Sequence, residues 1–469
     1  MPVADLTPEL ALLIGAVGIV LGAAFMSHSR QGWLAGAALV ALAIALGAVA
    51  VQWPAASSLT FSGVWILDAP ASLAKLIILV SGMLAVAMSP EWMRSDPRHG
   101  EYYALCLFAL LGAIVMAAAG DSMELLLGVL LSSAASYPLV AYHRGFAPAL
   151  EAGMKYFLIG ALANALLCVG VVMLFGLVGD TDYRVLSAFL AQSDRLALSV
   201  AMGCVILGLA FKLAAFPAHA WMPDVAQAAP APVAAMLSVA PKVGAALALA
   251  RLVALLPGEQ GLLWLVAMVS AITMTLGNLA ALRQSDVRRL LGWSSVSQSG
   301  YALMAVAVIE RAGDAVTALL TFLAAYALAN LTAFAVITHL RGRTDLDDYR
   351  GLARTQPLAA AVLIVAMLSL VGIPPLVGFF GKFLLFEATL EADHAWLAVI
   401  AVLNTLVSLY YYLRVAAVMT FSRPPGGVSV LGHHSRFAML AGGLGLVASS
   451  LLIEFLMRPA GATMLAFPS

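Results

Sequence analysis

The sequence predicts an all-α polytopic membrane protein with about fourteen transmembrane helices. Of its 469 residues, 63% are hydrophobic and only 10% are charged, a composition far more apolar than that of an ordinary soluble domain. Apolar runs of about 20 residues, the length that spans a bilayer as a helix, recur along the whole chain. These runs lie at 9–27, 33–52, 69–89, 101–119, 122–142, 153–178, 197–216, 230–253, 260–281, 288–309, 314–340, 357–390, 395–420 and 437–457.

Two regions interrupt this helical pattern with proline. Residues 208–245 contain five prolines, and residues 369–386 contain Pro374 and Pro375. Proline inside a helix removes a backbone donor and clashes with the preceding turn. In lipid the freed carbonyls need partners, so such breaks persist only within a helix bundle or beside water. Discontinuous helices mark the transport site in many membrane transporters, and we expect the same here.

Composition excludes several classes of function. The net charge is zero, which gives no reason to expect a nucleic-acid partner. The three cysteines, Cys106, Cys168 and Cys204, are isolated within apolar runs and suggest neither a metal site nor a disulfide framework. The sequence also contains no glycine-rich phosphate or dinucleotide loop. We therefore expect no cofactor or metal on this chain.

The arginines in the loops predict the orientation of the chain. If the first loop is cytoplasmic, thirteen arginines fall on that side and five on the other, as the positive-inside rule requires. Both termini then face the periplasm. The acidic N-terminal segment lacks the basic region of a signal peptide, so we expect the first span to be retained.

The five lysines have an unusual distribution, because all of them lie within or at the ends of apolar segments. They are Lys75, Lys155, Lys212, Lys242 and Lys382. A charged group inside a bilayer is costly and indicates function by default. A buried lysine can lose its proton, whereas arginine hardly can. The pattern therefore indicates proton movement, with snorkelling of the lysines to the interface as the alternative.

The individual lysines differ in their surroundings. Lys212, Lys242 and Lys382 lie close to the proline breaks, and His219 follows Lys212 by seven residues. His219 is either part of a proton relay or a hydrogen-bonded core residue. Lys155 lies four residues after Glu151, so an interfacial ion pair and a relay role both remain open. For Lys75 we expect a structural or helper role.

Several stretches of the chain resemble subunit N of proton-pumping NADH–quinone oxidoreductase, respiratory complex I. The stretches are EAGMKYFLIGALANALL, KLAAFPAHAWMPDVAQAAPAPVAAMLSVAPK, GNLAALRQSDVRRLLGWSSVSQSGYAL, LSLVGIPPLVGFFGKF and YYYLRVAAVM. The resemblance covers about 60–420. It implies N-terminal transmembrane helices 1–3 at 1–100, two inverted five-helix repeats at 101–253 and 260–420, and a C-terminal transmembrane helix at 421–469. Discontinuous helices are implied at 197–229 and 357–390.

The resemblance also implies a function and its residues. It implies proton translocation along a water-filled polar axis in a bacterial inner membrane, with Lys155, Lys212, Lys242, Lys382 and His219 as the relay. Other membrane-arm subunits would be the partners. NADH, FMN, iron–sulfur clusters and quinone would be handled by those partner subunits and not by this chain.

One departure from the family pattern leaves alternatives open. The family has a glutamate in the fifth helix that pairs with the lysine at the position of Lys212, and this chain has Leu130 there. Glu124 is six residues earlier, about 9 Å along a helix, and is not a simple substitute. The alternatives are a subunit of a related cation/proton antiporter or hydrogenase-type complex, and a structural membrane-arm subunit that no longer pumps.

Overall fold

The computed structural model describes residues 3–27, 30–53, 57–94, 96, 98–190, 194–255, 260–423, 430 and 432–452, and this part of the chain is nearly all helical. The helices of the N-terminal half are α1 Thr7–Phe25, α2 Trp33–Val51, α3 Ala69–Ala87, α4 Pro90–Met93, α5 His99–Ala118, α6 Ser122–Val140, α7 Ala147–Val178, α8 Tyr183–Leu190, α9 Arg195–Leu213, α10 Trp221–Ala228, α11 Ala231–Leu237 and α12 Ala240–Ala254. The remaining helices are α13 Gln260–Ala281, α14 Val287–Ala307, α15 Ala315–His339, α16 Leu352–Thr355, α17 Pro357–Val371, α18 Val377–Glu391, α19 Ala395–Phe421 and α20 His433–Leu451.

Eleven helical segments of the described residues are long and apolar enough to cross a bilayer. The all-α membrane class is therefore confirmed, while the count of fourteen spans and the two inverted repeats stay predictions. The predicted 153–178 span begins earlier, at Ala147, and forms a helix of 32 residues. The predicted 230–253 span is divided into α11 and α12, because Pro241 cannot continue the backbone hydrogen bonding of α11. The C-terminal span is described only as far as residue 452.

Both predicted breaks are present. Helix α9 ends at Leu213 and is followed by Ala214 in the left-handed conformation, with φ of 53°. Six further residues precede α10. Helix α17 ends at Val371, and Gly372 adopts a φ of 92° that glycine tolerates without strain. Helix α18 starts five residues later. Each break therefore exposes a row of helix-terminal carbonyls within the bundle.

The loops contact one another in two separate groups. A short hairpin of β1 Ser58–Thr60 and β2 Trp65–Leu67 meets the loop between α5 and α6 through a bridge of Trp65 with Ala119. That loop in turn meets the start of α8 through Asp121 and Asp182. On the other side, Asp286 bridges to Asp345. These two groups match the outer and inner sides expected from the arginines, and the absolute orientation stays a prediction.

Burial identifies the centre of the bundle. Helix α14 contacts α10, α12, α13, α15, α18 and α19. Every residue of the α11–α12 segment from 231 to 253 is buried, whereas most residues of α1, α2, α7 and α19 are at least partly exposed. The broken helices α9–α10 and α17–α18 therefore lie against a central polar helix, and the peripheral helices face outward.

Candidate functional site

Helix α14 carries a buried polar face through the centre of the bundle. Its residues Ser294, Ser295, Ser297, Gln298 and Ser299 are all at most 3% exposed. Serine and glutamine are costly in an apolar interior unless they form hydrogen bonds. This stretch, read from the sequence only as part of an apolar span, was missed as a functional segment. Its signal in the sequence is the presence of five polar residues within six consecutive positions of an otherwise apolar span.

Lys242, on the first turn of α12, has all three of its N–H donors satisfied by α14. Its Nζ lies 2.6 Å from the carbonyl oxygen of Ser295, 2.7 Å from Ser295 Oγ and 2.8 Å from Ser299 Oγ. An ammonium group offers three donors and no acceptor. The break before α12 positions this lysine, because Pro241 occupies the first helical turn, where its missing N–H costs nothing.

A hydrogen-bonded chain continues from this site to α15 and α11. Ser295 Oγ lies 2.7 Å from the hydroxyl of Tyr326, which donates to the carbonyl oxygen of Ser238 at 2.9 Å. Asn330 donates to Ser238 Oγ at 2.7 Å. The tyrosine and the asparagine were not identified from the sequence, because the polar residues of α15 are scattered along an otherwise apolar helix.

Lys212 is linked to α14 through the backbone of the next residue, Leu213. Ser299 Oγ, which accepts from Lys242, donates to the carbonyl oxygen of Leu213 at the end of α9. Lys212 itself is 1% exposed, and its Nζ donates to Ser132 Oγ of α6 at 3.3 Å. The first break therefore links Ser299 both to the Lys242 ammonium and to the backbone of Leu213, the residue that follows Lys212.

Lys382, on α18, contacts the second break. Its Nζ donates to the carbonyl oxygen of Val371, the last residue of α17, at 2.9 Å. The C-terminal end of a helix carries partial negative charge and favours a cation. The same Nζ lies 4.4 Å from the centroid of the Tyr301 ring of α14, a favourable cation–π contact. Helix α14 therefore contacts Lys242 with its serines and Lys382 with its tyrosine.

These three lysines have no carboxylate partner. Within the described ranges, none of Lys212, Lys242 and Lys382 takes part in an ion pair, and each is at most 4% exposed. A buried cation without a counter-ion is unfavourable. Hydroxyl and carbonyl oxygens accept hydrogen bonds from the protonated amine, and the hydroxyls can also donate to the neutral amine. The arrangement is therefore suited to groups that gain and lose protons.

His219 does not join the lysines. It lies in the non-helical segment after α9, so it does not continue the face of Lys212. Its ring is 6.1 Å from that of Phe216 and 5.8 Å from that of Trp293. Its Nδ1 is buried and has no hydrogen-bond partner among the described residues. Its role in a relay stays a prediction.

Lys155 lies at the surface of the described chain and not in the buried group. Its side chain is 46% exposed, and its Nζ lies 2.7 Å from Glu151 and 2.9 Å from Asp224. Asp224 also contacts Arg289 of α14 at 2.5 Å. The contacts are those of an interfacial ion-pair network, and a relay role for Lys155 stays a prediction.

Leu130 and Ser132 of α6 face different ways. Leu130 is 38% exposed, whereas Ser132, which binds Lys212, is fully buried. Two residues correspond to about 200° around a helix. A carboxylate at position 130 would therefore lie on the outer face of α6, and Glu124 lies some 12 Å along the helix from Ser132.

No group of three or more His, Cys, Asp or Glu in the described part of the chain could hold a metal ion. The site consists of amines, hydroxyls and backbone carbonyls. Groups of these kinds can form hydrogen bonds and can exchange protons.

Comparison with known proteins defines the class. The family model described as "NADH:quinone oxidoreductase/Mrp antiporter, TM" matches residues 119–408, more than half of the chain. This range contains both breaks and the three buried lysines. The chain therefore belongs to the NADH:quinone oxidoreductase/Mrp antiporter family of membrane subunits.

Within that family the similarity is to one subunit. NADH-quinone oxidoreductase subunit N of Mycobacterium sp. (strain JLS) is 41% identical over 438 residues, which cover 92% of this chain and 93% of that protein. A chain of respiratory complex I from Thermus thermophilus superimposes with a TM-score of 0.83 at 30% identity, covering 97% of this chain and all of that one. The resemblance to subunit N is thus confirmed.

A more distant structure shows how widely the fold is shared. A chain of the membrane-bound sulfane sulfur reductase, an archaeal respiratory membrane complex, superimposes with a TM-score of 0.88 at 23% identity, covering 98% of this chain and 96% of that one. At this identity the likeness concerns the fold alone.

Proposed function

We propose that this chain is a membrane-arm subunit, of the subunit N type, that translocates protons in a bacterial NADH–quinone oxidoreductase. The observation that carries the proposal is a set of three buried lysines, none of which forms an ion pair among the described residues. Lys242 and Lys382 contact α14 directly, and Lys212 precedes Leu213, whose carbonyl oxygen accepts from Ser299 of α14. Such groups are expensive in a membrane interior. A purely structural bundle would be more stable with apolar residues at the same positions.

The geometry supports transfer by charge repulsion. Ser295, which binds Lys242, and Tyr301, which lies under Lys382, are six residues apart on α14, or about 9 Å along the axis. The two contacts also lie about 240° apart around the helix, so the ammonium groups are farther apart than this axial distance. Two unit charges about 9 Å apart would repel by about 1.8 kcal/mol at an effective dielectric constant of about 20, which sets about twentyfold as the upper limit of the change in a protonation equilibrium. A proton arriving at one lysine therefore promotes release from the next.

The remaining functions belong to partners under this proposal. Electron transfer from NADH through FMN and iron–sulfur clusters to quinone would occur in other subunits. The translocase activity of this chain would be driven by that reaction. The exposed apolar faces of α1, α2, α7 and α19 would contact lipid and neighbouring membrane-arm subunits. The arginine distribution supports a periplasmic location for both termini.

Replacement of Lys382 tests the proposal. Lys382→Met preserves an unbranched side chain but removes the amine that contacts the second break. In membrane vesicles that contain the assembled complex, we expect proton pumping per NADH oxidised to fall. The pH-gradient fluorescence signal and quinone reduction are measured together.

Arg144→Met, at an exposed loop position, is the matched control for loss of one cation and should pump normally. Full pumping by Lys382→Met would contradict its role in the relay. Unchanged pumping in every lysine variant of an assembled complex would assign the chain a structural role.

A further inference from the structure

A second group of buried charges lies where the outer ends of α1, α3 and α6 meet. Lys75 Nζ lies 2.8 Å from Glu9 Oε1, and these side chains are only 4% and 8% exposed. The same ammonium lies 4.7 Å from the centroid of the Trp65 ring. The pair therefore connects α1 to α3 beneath the β1–β2 hairpin, far from the proline breaks in sequence.

A second carboxylate faces the same place. Glu124, on the first turn of α6, lines with Glu9 a cavity of about 390 Å³ whose other walls are mostly apolar. It lies within electrostatic range of both Glu9 and Lys75. Oε2 of Glu9 and Oε2 of Glu124 are buried and have no hydrogen-bond partner among the described residues. A cavity of this size has room for several water molecules.

The surrounding charged groups are engaged elsewhere. Asp121 caps α6 by accepting from the N–H groups of Met123 and Glu124, and Asp68 pairs with Arg251 at 2.8 Å. Tyr183 lies within electrostatic range of Arg251, Asp121 and Glu124. Arg184 pairs with Asp182 and donates to the carbonyl oxygen of Ser62 in the hairpin. Asp5 lies in the turn before α1, and neither Asp5 nor the Arg184–Asp182 pair lines the cavity. One ammonium, Lys75, therefore serves two carboxylates.

We propose that Glu9, Lys75 and Glu124 form a proton-exchange site on the outer side of the chain, with Glu124 as the group that holds and releases the proton. Lys75 neutralises Glu9. A second unpaired carboxylate in the same buried site is costly, and protonation removes that cost. Release breaks the O–H bond of Glu124 and transfers the proton to water in the cavity. The new carboxylate then competes with Glu9 for Lys75.

The position of this site relates it to the lysines. Glu124 precedes Ser132, the partner of Lys212, by eight residues on α6, or about 12 Å. Asp121, at the start of α6, belongs to the outer group of loops. The cluster thus lies between the buried lysines and the outer surface. The inference that this cluster passes translocated protons to the outer side rests on the proposed function. The inference that Glu124 holds a proton does not.

A hydrophobic carbodiimide tests that ability in the assembled complex without turnover. The O–H of a protonated carboxyl adds across a C=N bond of the reagent, and the O-acylisourea rearranges to a stable N-acylurea that mass spectrometry detects. We expect a tag on Glu124 and little on the ion-paired Glu9. Above its titration point, tagging of Glu124 should fall about tenfold per pH unit. A Glu124 that stays untagged at every pH would overturn the proposal.

Removing the competing carboxylate gives a second test. Glu9→Gln frees Lys75 to pair with Glu124, so tagging of Glu124 at neutral pH should drop severalfold. Glu101→Gln, at an exposed position on the opposite side, should leave it unchanged. Tagging that is equal in wild type and Glu9→Gln would show that the two carboxylates do not share Lys75 and would refute the site. Loss of pumping in Lys382→Met bears only on the proposed function.

Discussion

The buried ion pair between α3 and α12 provides the sharpest prediction about stability. Asp68 and Arg251 are both fully buried, and Asp68 Oδ1 accepts from Arg251 Nη2 at 2.8 Å. The same oxygen accepts from the N–H of Ala71 at 2.8 Å and caps α3. Asp68→Asn keeps a good capping group but removes the negative charge. Arg251 would then be a buried cation without a counter-ion.

The expected cost follows from that burial. Removing one partner of a buried pair typically costs about 3–5 kcal/mol, which corresponds to about 150- to 5,000-fold in a folding equilibrium. Arg251→Met alone should cost a similar amount, since it leaves Asp68 charged. The double variant Asp68→Asn/Arg251→Met removes both charges, so we expect it to recover most of the loss.

The assay is the yield of assembled complex together with its thermal midpoint in detergent. The control is Asp347→Asn, because Asp347 and Arg350 form a pair that is largely exposed and such pairs contribute about 0–1 kcal/mol. Equal stabilities of Asp68→Asn and Asp347→Asn would refute this reasoning. A double variant as unstable as the worse single variant would show that charge burial is not the cause.

Three further predictions concern other parts of the chain. A Cβ at Gly378 would lie 1.8 Å from the carbonyl oxygen of Ser369, whereas one at Gly47 meets nothing within 4 Å; Gly378→Ala should therefore reduce assembly, and Gly47→Ala should not, as judged by complex yield. Position 130 faces away from Ser132, the partner of Lys212, so Leu130→Glu should leave the rate and stoichiometry of pumping in vesicles unchanged; a change in either would show that the residue at position 130 does act on Lys212. Burial alone would raise the pKa of Glu91, but hydrogen bonds from backbone N–H groups of α20 hold that pKa below its usual value. The contact between the Glu91 carboxylate and α20 therefore stabilises the fold at neutral pH and is lost as the pH falls through the lowered pKa. Glu91→Gln should then show a weaker acid dependence of the thermal midpoint, and an unchanged dependence would contradict this.

Local signals explain what the sequence could predict. Proline has a strong effect on the residues beside it, so both breaks could be located from Pro217, Pro374 and Pro375 alone. A lysine within an apolar run is rare, so Lys242 and Lys382 were identifiable as candidates. These features need no knowledge of which helices become neighbours.

The partners of the lysines depend on tertiary packing and could not be predicted in the same way. Ser299 binds Lys242 across 57 residues of sequence, and Glu9 of α1 meets Lys75 of α3 across the whole of α2. Serine is common in membrane helices, so its presence on α14 did not indicate which face is buried. The exposure of Lys155 was also not determined by the sequence, since Glu151 beside it fitted both a relay and an interfacial pair.

The central claim is that the buried lysines act by exchanging protons and not only by carrying charge. Lys242→Arg tests this most directly, because arginine keeps the positive charge but can hardly release its proton. The measurement is the number of protons pumped per NADH oxidised, in proteoliposomes containing the assembled complex. The account predicts that Lys242→Arg lowers this ratio as much as Lys242→Met does. A wild-type ratio in Lys242→Arg would contradict it.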